Sequence, residues 1–315
     1  MKMLYKYMKY EYLISTLVNN TLHFSSPAFF NDFFDTFVAI DCSSDSELLT
    51  EFKQVNSEDY TIQKASKAYV LSLSRNPVDW VMWNMYTVDE NEKKRVFNEM
   101  NENFIEKHLL DDKNSKKEGV LDIFGICLGF EVAKKKDCKK YCGKDCVKDC
   151  VNGQGLIFLD SNDKCVCLPS NEVKYEKGFV QINKIDSNNG KEFLPSNELI
   201  ESLTHKSEHW QHEEEERIIL IPDPLDGKFK YYKCGKERFD FGYKELQDAL
   251  DVPFRKENLR EVIFGYRTSE SRKKHVKCLL KCLGYKGIKY KEIVAKKYDN
   301  AQQIYFDLSD RPFKN

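Results

Sequence analysis

Apolar residues in this chain come in short runs that follow two different periods, with no regular alternation between them. Residues 3–7, 22–24, 68–74, 124–130, 155–158, 164–167, 173–175, 217–221, 229–232, 261–264 and 288–294 read as strands, since their apolar and small residues alternate or run on briefly. Tyr10, Leu13, Ile14 and Leu17 recur at spacings of three and four, which predicts a helix over 10–18. Further helical segments are expected at 45–66, 79–86, 89–118, 196–210, 243–250 and 269–283, the last with serines near its start and Gly284 just past its end. Residues 184–197, polar and containing Asn-Asn-Gly, read as a loop. Strands and helices mixed without a strict βαβ rhythm predict an α+β fold with a mixed, mostly antiparallel central sheet and flanking helices. Residues 1–315 are expected to form a single α+β domain. It carries two insertions, a charged helical one at 89–122 and a cysteine- and lysine-rich one at 134–153.

Hydrophobic residues make up 41% of the chain and aromatics 13%, which supplies enough burial to offset chain entropy and argues against disorder. The formal net charge of −1 gives no global basic field for nucleic acid. No apolar run approaches the roughly 18 residues that a membrane helix needs, and the first residues do not resemble a signal peptide. The expectation is a cytoplasmic protein with no membrane partner. Eleven cysteines in such a chain point to free thiols or metal ligation before a disulfide framework.

The densest concentration of charge is Trp210-Gln-His-Glu-Glu-Glu-Glu-Arg217, which leads directly into an apolar strand. On a strand, alternate side chains share a face. Glu213, Glu215 and Arg217 would then point one way and Glu214 and Glu216 the other. A charge run is also commonly a solvated face, and the 214/216 register stays open. Tyr5 and Lys6 read either as strand residues with the lysine outward or as ligand contacts. Trp83 and Tyr86, three apart on a helical turn, suit a core stripe or a stacking platform. Asn31, Asp32 and Asp35 suit a turn first, with a phosphate- or ribose-contacting role open. Cys138, Cys142, Cys146 and Cys150 recur every four residues, a rise of about 6 Å per step on a helix. The first and last would be roughly 18 Å apart, too far to share one zinc with bonds near 2.3 Å. Zinc there requires a non-helical segment, or help from Cys165 and Cys167. A lysine-rich surface segment with reduced thiols is favoured. Cys278 and Cys282 are expected in the core.

Several segments in order carry a resemblance. They are Leu4-Tyr-Lys-Tyr7, Phe30-Asn-Asp-Phe-Phe-Asp35, Leu71-Ser-Leu-Ser74 with Met82-Trp-Asn-Met-Tyr86, Lys206…Trp210…Glu213-Glu-Glu215-Glu-Arg217, and Val262-Ile-Phe-Gly265. Together they resemble a widespread bacterial family that carries a domain-of-unknown-function label, departing from it at Phe33 (usually proline) and Met85 (usually histidine). More distantly, the order of a first-strand ligand, a serine strand and a late Glu-x-Glu is similar to ADP-ribosyltransferases. That resemblance implies NAD as substrate, with Glu215 and Glu213 as catalytic carboxylates. It also implies a cofactor site drawn from Tyr5, Lys6, Ser72, Ser74, Trp83, Tyr86 and Arg217. A carboxylate near the ribose would stabilise an oxocarbenium-like transition state. Arg217 would hold it ionised or grip a pyrophosphate. The function so implied is an ADP-ribosyltransferase or NAD glycohydrolase, acting in phage defence or as a toxin on a protein or nucleic-acid target. The alternative is a nucleotide- or nucleic-acid-binding module without chemistry.

Overall fold

The computed structural model describes residues 2–27, 30, 35, 38–40, 68–89, 124–133, 155–177, 180–182, 186–188, 191–193, 196–222, 229–231, 238–239, 249–266, 268–297 and 304–309. The insertion at 134–153 with its four cysteines, the insertion at 89–122 beyond Asp89, the expected helix at 45–66, residues 243–248, and Asn31 and Asp32 lie outside them. Contacts gather the chain into two compact units.

The first unit comprises Met1–Asn20, Ser74–Glu131 and Lys256–Asn315. Its strands lie in the order Met3–Met8, Ile126–Glu131, Leu259–Phe264, Lys289–Lys297, Ile304–Leu308. Neighbours run antiparallel except Leu259–Phe264 and Lys289–Lys297, which are parallel. A parallel pair needs a crossover, and the helix Glu270–Cys282 supplies it. Ser269 caps that helix by accepting the Arg272 N–H. Gly284, at φ +80°, follows its end. Successive residues of the central strands are buried on both faces: Leu4, Leu128 and Val262 alternate with Tyr5, Cys127 and Ile263. This explains why these strands read as nearly continuous apolar runs. A short helix, Trp80–Tyr86, begins where the Asp79 carboxylate accepts the Met82 N–H at 2.8 Å. It sets Trp83 edge-on to Tyr7, with ring centroids 5.3 Å apart.

The second unit comprises Thr21–Leu73 and Val132–Arg255. The strand Glu215–Pro222 lies between Tyr69–Ser74 and Phe229–Tyr231. Thr21–Ser25 pairs antiparallel with both Tyr69–Ser74 and Ala249–Pro253. Gly155–Leu159 and Cys165–Pro169 form an antiparallel hairpin. Two parallel pairs, His205–Ser207 with Lys174–Glu176 and Val180–Ile182 with Val38–Ile40, make the pairing mixed. The α+β class and the mostly antiparallel pairing are as the sequence implies.

Several segments differ from their sequence reading. The helix expected over 196–210 stops at Leu203. There Thr204 turns its hydroxyl back onto the Ile200 carbonyl at 2.8 Å, and the chain leaves to pair as a strand at His205–Ser207 before a 3₁₀ turn at Glu208–Glu213. Residues 184–197 include an antiparallel pair, Asp186–Asn188 with Lys191–Phe193, flanking Asn-Gly, the dipeptide that favours two-residue hairpins. Ala249 and Leu250 begin a strand rather than end a helix. On the first helix, Tyr10–Asn19, Leu13 and Leu17 are buried but Ile14 is 49% exposed. Cys278 and Cys282 are exposed, because Lys273, Val276 and Leu280 form the inward stripe of their helix. No described helix is long and apolar enough to cross a membrane.

Candidate functional site

The site forms where Glu215–Pro222 begins. The 3₁₀ turn ends at Glu213, and Glu214 after it adopts a left-handed conformation at φ +44° and is exposed. That reversal lets Glu213 and Glu215 converge although no continuous strand joins them. From Glu215 onward strand alternation holds. Glu215 and Arg217 share one cluster, while Glu216 accepts a hydrogen bond from the Ser170 hydroxyl. The charge run is therefore not a solvated face: Glu213, Glu215, Glu216 and Arg217 are all buried.

Arg217 is the hub. Its Nε and Nη2 donate to Glu215 at 2.8 and 2.9 Å. Nη1 and Nη2 donate to the Asp35 carboxylate at 2.8 and 2.5 Å, and Nη1 also donates to the Leu203 carbonyl at 2.9 Å. The guanidinium thus forks onto two carboxylates, the pairing its planar donor array favours, and lies over the Phe30 ring. Lys206, carried inward by the His205–Ser207 strand, places Nζ 2.6 Å from Glu213, 3.4 Å from Glu215 and 3.6 Å from Asp35. The Nζ sits 5.0 Å from the Trp210 ring centroid. The Glu215 backbone N–H donates to the Tyr175 hydroxyl at 2.7 Å.

Burial by itself would raise the Glu215 pKa, since a charge is costly away from water. The adjacent Arg217 and Lys206 cations, with hydrogen bonds from Arg217 and Ser72, outweigh it and hold the carboxyl near 2. Burial would lower the Lys206 ammonium, but Glu215, Asp35 and Glu213 raise it above its ordinary value. Burial opposes the Arg217 charge too, and Glu215 and Asp35 prevail. Three carboxylates around two cations leave a formal surplus of one negative charge when all five are ionised. The cluster can supply a fixed electrostatic field. It has little room for a ligand against Glu215, whose side chain is only 5% exposed.

Of the residues singled out in the sequence, Ser72, Glu213, Glu215 and Arg217 come together in the second unit. Tyr5, Lys6, Ser74, Trp83 and Tyr86 belong to the first unit, where those with resolved contacts have structural roles. Tyr5 donates to Glu261 at 3.2 Å. The Ser74 hydroxyl closes a local turn with Asn76. Trp83, 1% exposed, fills the core with its indole N–H on the Pro77 carbonyl. Tyr86 packs against that core, and Lys6 is half-buried. In the sequence Asp35 reads as a turn residue first, with a phosphate- or ribose-contacting role open, and Lys206 as one point in a pattern; neither reading makes it an ion-pair partner of Arg217 or Glu213. Nothing local announces an ion pair spanning 182 positions, as between Arg217 and Asp35. Among the described residues no group of three or more His, Cys, Asp or Glu side chains is placed to hold a metal. No protein-family profile, curated protein or solved structure matches the chain.

Proposed function

We propose that the second unit carries the carboxylates of an NAD-using, ADP-ribosyltransferase-like site, in a cytoplasmic effector acting on a macromolecular target. The observation that supports this reading is the Ser72–Glu215 contact. The serine strand lies directly beside the strand that Glu215 opens, and the Ser72 hydroxyl donates to Glu215. That adjacency is in keeping with the serine strand and late carboxylates that the resemblance implies for a nicotinamide-ribose pocket. The surplus negative charge of the cluster has the sign needed to favour an oxocarbenium-like transition state, and preorganised charge of this kind is an effective catalytic device. Glu215 would act as an ionised anchor of that field, with Glu213 beside it across Lys206.

A second reading, a nucleotide-binding module without chemistry, draws on a different observation. Both Glu215 oxygens are already engaged by Arg217, with Lys206 beside them, so much of its charge is compensated before any substrate arrives. Incubation with NAD, with and without cell lysate, separates the two by measured nicotinamide release. The transferase reading expects release by the wild type and a loss on the order of 10²–10³ in Glu215→Gln. It expects a smaller loss in Glu213→Gln and none in the exposed Glu214→Gln. Circular dichroism on each variant establishes that the fold is kept. Absence of release from the wild type, with calorimetric NAD binding that weakens in Glu213→Gln, selects the binding module. Neither release nor binding removes both readings.

A further inference from the structure

The near-neutral net charge conceals a strong asymmetry. Residues 256–297 contain 13 Lys and Arg against 4 Asp and Glu, net +9, while the rest of the chain carries 37 against 47, net −10. All of this segment lies in the first unit. Part of the positive charge is spent internally. Lys273 is buried between Glu270 and Glu292 at 2.9 and 2.8 Å, Lys291 pairs with Glu261, and Arg260 pairs with Glu131. Lys296 pairs with Asp307, and five of the other lysines lie on the helix Glu270–Cys282 and the turn and strand start after it. Lys274, His275, Lys281, Lys286 and Lys289 are exposed, and Lys277 leans over the Tyr290 ring 5.4 Å away. The only acidic residue of the helix, Glu270, is occupied by Lys273.

We propose that this lysine face, independent of the acidic cluster, is a docking surface for the phosphate backbone of nucleic acid. Lys274, Lys277 and Lys281 are spaced by three and four residues, so their side chains form one stripe. From Lys274 to Lys281 the helix rises about 10 Å, over which a duplex strand presents about three phosphates. Lys286 and Lys289 extend the stripe past the helix end. Such a face neutralises phosphates and reads no base edge, so binding is non-specific in sequence and strongly salt-dependent. A global net charge of −1 does not oppose this, because exposed charges more than about 10 Å away are screened at ordinary ionic strength.

The test is fluorescence anisotropy of a short labelled DNA duplex of random sequence, titrated with the full chain over a range of salt. The surface expects log K to fall linearly with log salt, with a slope of about −4.5 for five engaged lysines. The triple variant Lys274→Gln, Lys281→Gln, Lys286→Gln should lose about 2.7 from the steepness of that slope. A control with the same net charge, Lys164→Gln, Lys174→Gln, Lys177→Gln, changes three exposed lysines of the second unit and should leave the slope as in the wild type. Cys278 and Cys282, exposed on the same helix with Sγ atoms 4.0 Å apart, provide a positional readout. Their alkylation, mapped by mass spectrometry, should slow when duplex is bound. Equal loss in both triple variants, no protection of the two thiols, or binding to anionic phospholipid vesicles with none to DNA would each overturn the proposal.

Discussion

At the scale of single residues, the behaviour of Glu214 and Arg217 separates two meanings of a charged residue in one short run. Arg217 is 1% exposed and bonded to two carboxylates and a carbonyl. Removing it leaves Asp35 and Glu215 near each other with Lys206 as the remaining cation among the described residues. Arg217→Met is therefore expected to destabilise the fold by about 3–5 kcal/mol, the usual cost of breaking a buried charge pair from one side. Glu214, one residue before the strand and exposed, should tolerate Gln within about 0.5 kcal/mol. Urea denaturation of both variants checks this, and comparable losses in the two would mean that the cluster is not what holds this end of the strand. The sequence allowed Glu213, Glu215 and Arg217 to be grouped by strand alternation. The grouping was right for Glu215 and Arg217. Glu213 joins them for another reason, the left-handed turn at Glu214, which strand periodicity does not encode.

At the scale of elements, what was legible depended on whether the determinant was local. The helix Trp80–Tyr86 and the helix Glu270–Cys282 announce themselves by an acceptor at the cap and apolar residues at helical spacing, and both lie close to where the pattern puts them. The end of Ser196–Leu203 does not, because the sequence from 196 to 210 keeps helix-compatible residues throughout. What stops it is the pairing of His205–Ser207 with Lys174–Glu176, a tertiary competitor that outweighs propensity. Strand Gly155–Leu159 begins with a glycine for a reason that only packing reveals. A Cβ at Gly155 would lie 2.3 Å from the Leu168 backbone oxygen and 2.7 Å from the Pro169 Cα. Gly155→Ala should force this hairpin apart and cost about 1–3 kcal/mol, read as a lowered thermal midpoint. An unchanged midpoint would mean that the hairpin relaxes freely.

At the scale of the whole molecule, the buried cluster ties stability to pH in a stated direction. The folded-state pKa of Glu215, about 2, lies below its ordinary value of 4.5. Its stabilisation is complete above about pH 4.5 and fades as pH falls from there toward 2. Lys206 is raised, so its contribution is complete below its ordinary value of 10.5 and is lost as pH climbs through the folded-state value. Thermal midpoints between pH 5 and 2 should fall more steeply for the wild type than for Glu215→Gln, which has no carboxyl to titrate. Parallel curves would assign the acid sensitivity to other groups. Strand alternation pairs Glu215 with Arg217, but the share of Lys206 and Asp35 in this coupling is not legible in the sequence, because composition records the number of charges and says nothing about which of them leave water together.

The cluster also bears on the order in which the chain assembles. Its five members come from three stretches of sequence, with Asp35 at one, Lys206 at another, and Glu213, Glu215 and Arg217 at the third, and the Arg217–Asp35 bond closes a separation of 182 residues. A carboxylate gains nothing from leaving water until its cation has arrived, and an encounter over so long a loop is slow. Desolvation of these groups should then fall after the rate-limiting barrier. In stopped-flow kinetics, Arg217→Met would accelerate unfolding while leaving the refolding rate nearly unchanged, a Φ-value near zero. The acidic run at 213–217 would then act less as a seed of the fold than as its latch, closing last and setting how long the native state persists.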